Sequence, residues 1–211
     1  MTAVPVLDGT GDPLPAAVVA AAAAAVAAGE VIVLPTETVY GLAVDPWRPG
    51  ASERLFAVKG RPRDVVLPLL VAGPDQAVDV AAGLDPVARA LMERFWPGSL
   101  TIVVAARPGL GADLGGDGTT VGLRCPDHPV TRAVCAAAGP LALTSANRHG
   151  EPPARTAAQA ASLPGVALVV DGGPCGGEPS TVVDATASPP RLLRAGAVPW
   201  DAVRGVRPPL D

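Results

Sequence analysis

Short apolar runs alternate with helix-forming stretches along nearly all of the 211 residues, and this alternation constrains the fold more than any other feature. An alanine-rich helix is expected from Ala16 to Ala28, opened by Pro15 and stopped by Gly29. Val31–Leu34 then reads as a buried strand, running into a hydroxyl-rich junction from Pro35 to Leu42. A helix over Ala51–Val58 places Lys59 and Arg61 just past its end. Leu69–Val71 reads as a strand, Pro86–Phe95 as a helix, Leu100–Ala105 as a strand, and Gly109–Gly118 as a glycine-rich loop. The later half repeats the design. Strands are expected at Val121–Cys125, Leu141–Leu143 and Val166–Val170, helices at Val130–Ala138 and Thr156–Ala161, and a strand pair at Thr181–Val183 and Leu192–Arg194. This order predicts an α/β fold: a twisted open sheet with flanking helices. Several strands follow one another too closely for a crossover helix, so the sheet is expected to be mixed.

The length suits one domain with a full core. Half of the residues are apolar and aromatics are few (three Trp, two Phe, one Tyr), so the core is built from Val, Leu and Ala. A net charge of −4 argues against a protein that coats nucleic acid by bulk electrostatics, while leaving room for a local basic pocket. Cys125, Cys135 and Cys175 are odd in number and lack CxxC spacing, which disfavours a disulfide framework and a zinc site. A reduced, cytoplasmic protein fits. The Ala16–Ala28 run has no basic leader and is too short to span a bilayer, so no membrane association is expected.

Lys59 is the only lysine; the fifteen other basic residues, histidines aside, are arginines. A lysine kept beside Gly60 and Arg61 suggests a site that wants a compact ammonium, which an arginine fork does not replace. Polar groups also gather at strand ends: Thr36/Thr38, Thr144/Ser145/Asn147 and Ser180/Thr181, with Arg124 and Arg194 nearby. In open α/β sheets such ends share one crevice. Cations and hydroxyls converging there suit a polyphosphate and a small carboxylate. Each residue also has a mundane reading, as a turn, an N-cap or a solvated edge arginine.

Familiar nucleotide loops are missing. No GxxxxGK[ST] occurs, and Gly109–Gly115 lacks dinucleotide-fingerprint spacing. His128 and His149 lie in turns without ligand or triad spacing, and no Ser/His/Asp or Cys/His set emerges, so covalent catalysis is disfavoured.

Seven motifs stand in one order: PTETVYGLA (Pro35–Ala43), KGRP (Lys59–Pro62), FWPGSLT (Phe95–Thr101), VGLRCPDHP (Val121–Pro129), LTSANRHGEP (Leu143–Pro152), PSTVVD (Pro179–Asp184) and LLRAGAV (Leu192–Val198). This series resembles the threonylcarbamoyl-adenylate synthases, the YrdC-like family, over residues 14–200. The flanks 1–13 and 201–211 read as short terminal extensions, making this the single-domain form. The resemblance implies a twisted α/β sheet bearing a large, positively lined concave cavity.

It also implies a reaction: L-threonine, bicarbonate and ATP give threonylcarbamoyl-AMP and pyrophosphate, with Mg²⁺ accompanying ATP. The product would pass to a threonylcarbamoyl transferase complex that modifies tRNA next to the anticodon, and weak tRNA binding is a further expectation. Carried over by motif, Thr38, Arg124, Leu143 and Ser180 would bind threonine. Lys59 and Arg61 would hold the phosphates and act in catalysis, while Thr120, Ser145, Asn147, Pro153 and Arg194 would complete the ATP site. Glu37 and Tyr40 are read as supporting residues. Two departures stand out. Arg63–Val71 is longer and more apolar than in many relatives, with Arg63 or Asp64 as substitute contacts, and Arg148-His149 follows TSAN where a small hydroxyl residue is common. Both predict altered affinity and unaltered chemistry. The competing readings are an RNA-binding module, a carbamoyl-transfer enzyme lacking its usual extra regions, and a nucleotide binder without turnover.

Overall fold

The computed structural model describes residues 3–60 and 65–207. Arg61, Arg63 and Asp64 therefore lie outside the described residues. The element order is β1 (Val6–Asp8), α1 (Ala16–Ala27), β2 (Ile32–Leu34), β3 (Gly41–Val44), α2 (Ala51–Lys59), β4 (Leu69–Leu70), α3 (Pro74–Val80), α4 (Pro86–Phe95) and β5 (Leu100–Ala105). It continues with β6 (Thr120–Arg124), α5 (Pro129–Ala138), β7 (Leu141–Ser145), α6 (Ala157–Ala161), β8 (Leu168–Asp171), β9 (Thr181–Asp184), β10 (Arg191–Arg194) and α7 (Trp200–Arg204).

Among the described residues the strands form one ten-stranded sheet in the order β1-β8-β2-β3-β7-β4-β6-β5-β9-β10. It is mixed, as the spacing predicts. β1–β8, β2–β8, β4–β6 and β5–β9 pair in parallel, and the other neighbours are antiparallel. Four elements escape the sequence reading: β1, β3, α3 and α7. β1 falls within the expected N-terminal extension yet pairs with β8 at the sheet edge. The last two are five to seven residues long, too short for a helical period to declare itself. Most boundaries shift by a residue or two, and two of these shifts bear on the site. Lys59 is the last residue of α2 rather than beyond it, because Gly60, at φ 64°, supplies the left-handed cap that ends the helix. β7 runs on to Ser145, so Thr144 and Ser145 belong to the strand.

Helices cover both sheet faces but not evenly. On one face α2, α3, α4, α6 and α7 pack Leu55, Phe56, Val80, Leu91, Met92, Ala160 and Val203 against Val33, Leu42, Leu69, Leu100, Ile102, Leu123 and Val183. On the other, Ala22 and Val26 of α1 and Val130, Val134 and Cys135 of α5 cover Ile32, Leu34, Ala43, Leu70, Leu141, Leu143, Leu168 and Val170. Among the described residues this second cluster stops at β4. Beyond β4 the same face mixes polar and charged residues with apolar ones.

Candidate functional site

Register fixes which residues line that uncovered half. Leu70 lies opposite both Leu141 and Arg124, so Arg124 shares the face of the α1/α5 cluster. Side chains alternate along a strand, which adds Gly122 and Thr120 of β6 to the same face. Ile102 faces Leu123, so Thr101, Val103 and Ala105 of β5 lie there too, joined by Val182 of β9 opposite Thr101 and Arg194 of β10 opposite Val182. Val103, Thr120 and Val182 are partly exposed, and Ala105 and Arg194 are exposed. In the same register Ser145 aligns with Thr120 and Leu141 with Arg124, so the open face has two ends about 13 Å apart along a strand.

At the first end stands Arg124, 6% exposed, a buried charge that needs a charged partner and hydrogen-bond acceptors around it. Its Nε donates to the Gly98 carbonyl at 3.2 Å, and its Nη2 to Thr38 Oγ1 at 2.9 Å, while an ion pair joins Nη2 to Glu37 Oε1 at 2.8 Å. Thr38 is held in turn by Thr36, whose Oγ1 lies 2.8 Å from Thr38 Oγ1, donates to the Val39 carbonyl and accepts from the Thr38 and Val39 N–H groups. The segment after β8 braces this loop: Gly176 N donates to the Glu37 carbonyl at 3.1 Å, and Gly177 N to the Thr38 carbonyl at 2.6 Å. Next along the sheet, Ser180 Oγ lies 2.9 Å from Thr101 Oγ1, and Arg194 Nη2 donates to Ser180 O at 2.7 Å and to its Oγ at 3.0 Å.

At the second end Lys59, 3% exposed, reaches β7 from the tip of α2. Its Nζ donates to Ser145 O at 2.7 Å, to Ser145 Oγ at 3.0 Å and to Asn147 Oδ1. Asn147 Nδ2 closes the turn by donating to Arg148 O at 2.9 Å and Glu151 O at 2.5 Å. Behind it, a cavity of about 610 Å³ is lined by Lys59, Gly60, Arg148, His149 and Glu151.

Of the residues singled out in the sequence, Thr38, Arg124 and Ser180 come together at the first end, with Arg194 at Ser180. Lys59, Ser145 and Asn147 come together at the second. Thr120 lies across β4 from Ser145. Pro153 adjoins Ala154, whose N–H donates to Ala146 O at 2.8 Å and keeps it beside the turn. Leu143 sits within the apolar cluster, and its N–H donates to Pro68 O at 3.0 Å. Thr101 was not singled out, although FWPGSLT ends on it. Tyr40 is a structural tie, as read: its hydroxyl donates to Gly173 O at 2.7 Å and lies 3.1 Å from Asp171 Oδ1, and burial pushes the phenol far above its usual range. Among the described residues no group of three or more His, Cys, Asp or Glu is placed to hold a metal ion, and no helix is long and apolar enough to cross a membrane.

With this geometry in hand, comparison with known proteins is specific. A family model covering Sua5, YciO and YrdC, described as telomere recombination, matches residues 24–196. A putative threonylcarbamoyl-AMP synthase of Mycobacterium tuberculosis is 40% identical over 182 residues, covering 85% of this chain and 84% of the relative. A threonylcarbamoyl-AMP synthase of Bacillus subtilis is 38% identical, covering 86% of this chain and 54% of the relative. The crystal structure of P. abyssi Sua5 complexed with L-threonine superposes with a TM-score of 0.83 at 31% identity, covering 98% of this chain and 62% of that one. The chain thus spans most of the mycobacterial relative, but little more than half of the other two.

Proposed function

This chain belongs to the Sua5, YciO and YrdC family, and from that premise we propose that it is a threonylcarbamoyl-AMP synthase, making threonylcarbamoyl-AMP and pyrophosphate from L-threonine, bicarbonate and ATP. One observation carries the reading: a buried, clamped guanidinium, Arg124, stands at one end of the uncovered sheet face, and a buried ammonium, Lys59, is held at Ser145, which the strand register aligns with Thr120 at the other end. A planar fork suits a carboxylate and a compact ammonium suits a phosphate. L-threonine is the ligand named for the P. abyssi protein, and the relatives are named for this product.

The chemistry asks for little beyond placement. The threonine amine joins the bicarbonate carbon and water leaves, giving a carbamate. A carbamate oxygen then attacks the α-phosphorus of ATP, and the bond to the bridging oxygen breaks to release pyrophosphate. All reactants but the amine are anionic, so the enzyme must neutralise and align them. Arg124, Thr38 and Ser180 hold the amino acid, with Leu143 as wall. Lys59, Ser145 and Asn147, joined by Arg61, Thr120, Pro153 and Arg194, hold the nucleotide, and the open face is the floor of a positively lined cavity. Mg²⁺ travels with the triphosphate, since a hard cation bound through phosphate oxygens and water needs no dedicated protein cage.

The adenylate then passes to a threonylcarbamoyl transferase complex acting on tRNA, which this protein itself binds weakly. The site of action is the cytoplasm, where the free, buried thiols of Cys125, Cys135 and Cys175 stay reduced.

The test is pyrophosphate release by the purified chain with ATP and Mg²⁺, omitting L-threonine or bicarbonate in turn. Release should require both and fall about 100-fold or more in Lys59→Ala. Release independent of threonine would sink the assignment.

A further inference from the structure

Glu37 lies where three of the sequence motifs meet. Its Oε1 pairs with Arg124 Nη2 at 2.8 Å and accepts from Ser99 Oγ at 3.0 Å, and its Oε2 accepts from the backbone N–H of Asp127 at 3.1 Å. One carboxylate thus ties the Pro35–Tyr40 loop to the turn before β5 and to the turn between β6 and α5. Arg124 contributes to the same knot, because Nε reaches the Gly98 carbonyl beside Ser99.

This arrangement decides how Arg124 can be used. A guanidinium offers five N–H groups in a rigid plane. Here Nε is taken by Gly98, and Nη2 by Thr38 and Glu37. Among the described residues Nη1 is the group that no side chain or carbonyl takes, so it is the corner of the fork left for a ligand. Without Glu37 the fork is held only by two neutral acceptors and can turn about its last torsions. With Glu37 it is fixed in plane by a charged partner that is itself anchored at both oxygens. Glu37 is about one-fifth exposed, so the pair is shielded without being sealed.

We propose that Glu37 is a positioning residue: it locks the Arg124 guanidinium so that Nη1 presents to the carboxylate of the amino-acid substrate. The inference rests on the synthase reading for the identity of that substrate. Glu37 acts through Arg124 and touches no reacting atom. An alternative role, competition with the substrate carboxylate for Arg124, predicts the opposite sign and is an outcome of the same test.

Glu37→Gln keeps the shape but removes the charge, and its amide NH₂ must face either Arg124 or the Asp127 N–H, neither of which can accept from it. The experiment measures pyrophosphate release while L-threonine and ATP are varied separately, together with calorimetric binding of L-threonine alone. The proteins compared are the wild type, Glu37→Gln, Arg124→Lys and the double variant. KM and Kd for L-threonine should rise about tenfold in Glu37→Gln, with the KM for ATP and kcat within about twofold. Added to Arg124→Lys, the same change should cost less than about twofold, because the group it orients is gone. Equal rises in both KM values with a lowered melting temperature would mark Glu37 as merely structural. Tighter threonine binding would mark it as a competitor, and unchanged constants would also overturn the proposal. A wild type that binds L-threonine but releases no pyrophosphate would refute the synthase reading while calorimetry still judged Glu37. A wild type that fails to bind L-threonine would refute both.

Discussion

The sheet face that carries the site is two surfaces joined at β4. On the β7 side, Leu70 neighbours Leu141 beneath α5, amid Ile32, Leu34, Ala43, Leu168 and Val170. On the β6 side the same Leu70 neighbours Arg124, and beyond it come Thr101, Gly122, Thr120 and Arg194. Backbone pairing crosses the border without a break, so the difference lies wholly in side chains. Where helices cover the face, it is apolar and every buried group adds to stability. Where none does, the chain intersperses Val103, Ala105 and Val182 with hydroxyls, a glycine and two arginines, the polar groups being ones whose burial would be costly under a helix. Arg124 is buried even so, and each contact it makes is one that a buried guanidinium requires. A packed half thus holds a polar half in register, and the two should fail in different ways.

The sharpest separation should come from Arg124→Ala. It should lower kcat/KM for L-threonine at least about 100-fold. The chain should still unfold cooperatively in urea, since Glu37 keeps its bonds from Ser99 and Asp127. Across the border, Leu141→Ala should cost about 3 kcal/mol of stability, read from the urea midpoint, while kcat/KM of the folded fraction stays within about twofold. Equal losses of both quantities in either variant would break the comparison.

The smallest effect belongs to pH. His128 immediately precedes α5, its Nδ1 buried with no hydrogen-bond partner among the described residues and its Nε2 3.3 Å from the Gly172 carbonyl, with Glu37, Asp127 and Arg132 as its charged neighbours. Burial lowers its pKa from the ordinary 6.5. The unfolded chain therefore takes up the proton first, and stability present above pH 6.5 is lost as the pH falls toward the folded value. The melting temperature should drop between pH 7 and pH 5 in the wild type and drop less in His128→Asn.

Much of this was legible in the chain. Alternating apolar runs gave the mixed α/β sheet, and a single lysine among arginines marked Lys59 before any fold was known. Strand-end hydroxyls marked Thr38, Ser145 and Ser180. What was not legible is what only register creates. The sharing of a face by Thr101, Thr120 and Arg124 depends on pairings between strands twenty residues apart. The Glu37–Arg124 pair joins residues far apart in sequence through loops with no period to read. β3 was hidden because Gly41-Leu42-Ala43-Val44 follows a hydroxyl-rich loop and is buried on both faces, so it shows no alternation.

Lys59 has a practical consequence as well. A lysine-specific endoprotease has one target bond in the whole sequence, after residue 59. To cut there it must draw the side chain into its own pocket, and in the folded protein that side chain is buried against Ser145 and Asn147. Cleavage into two fragments therefore counts the moments when the tip of α2 lets go of the β7 turn. A bound triphosphate that tightens this grip should slow the appearance of those fragments, reporting occupancy of the site without any turnover.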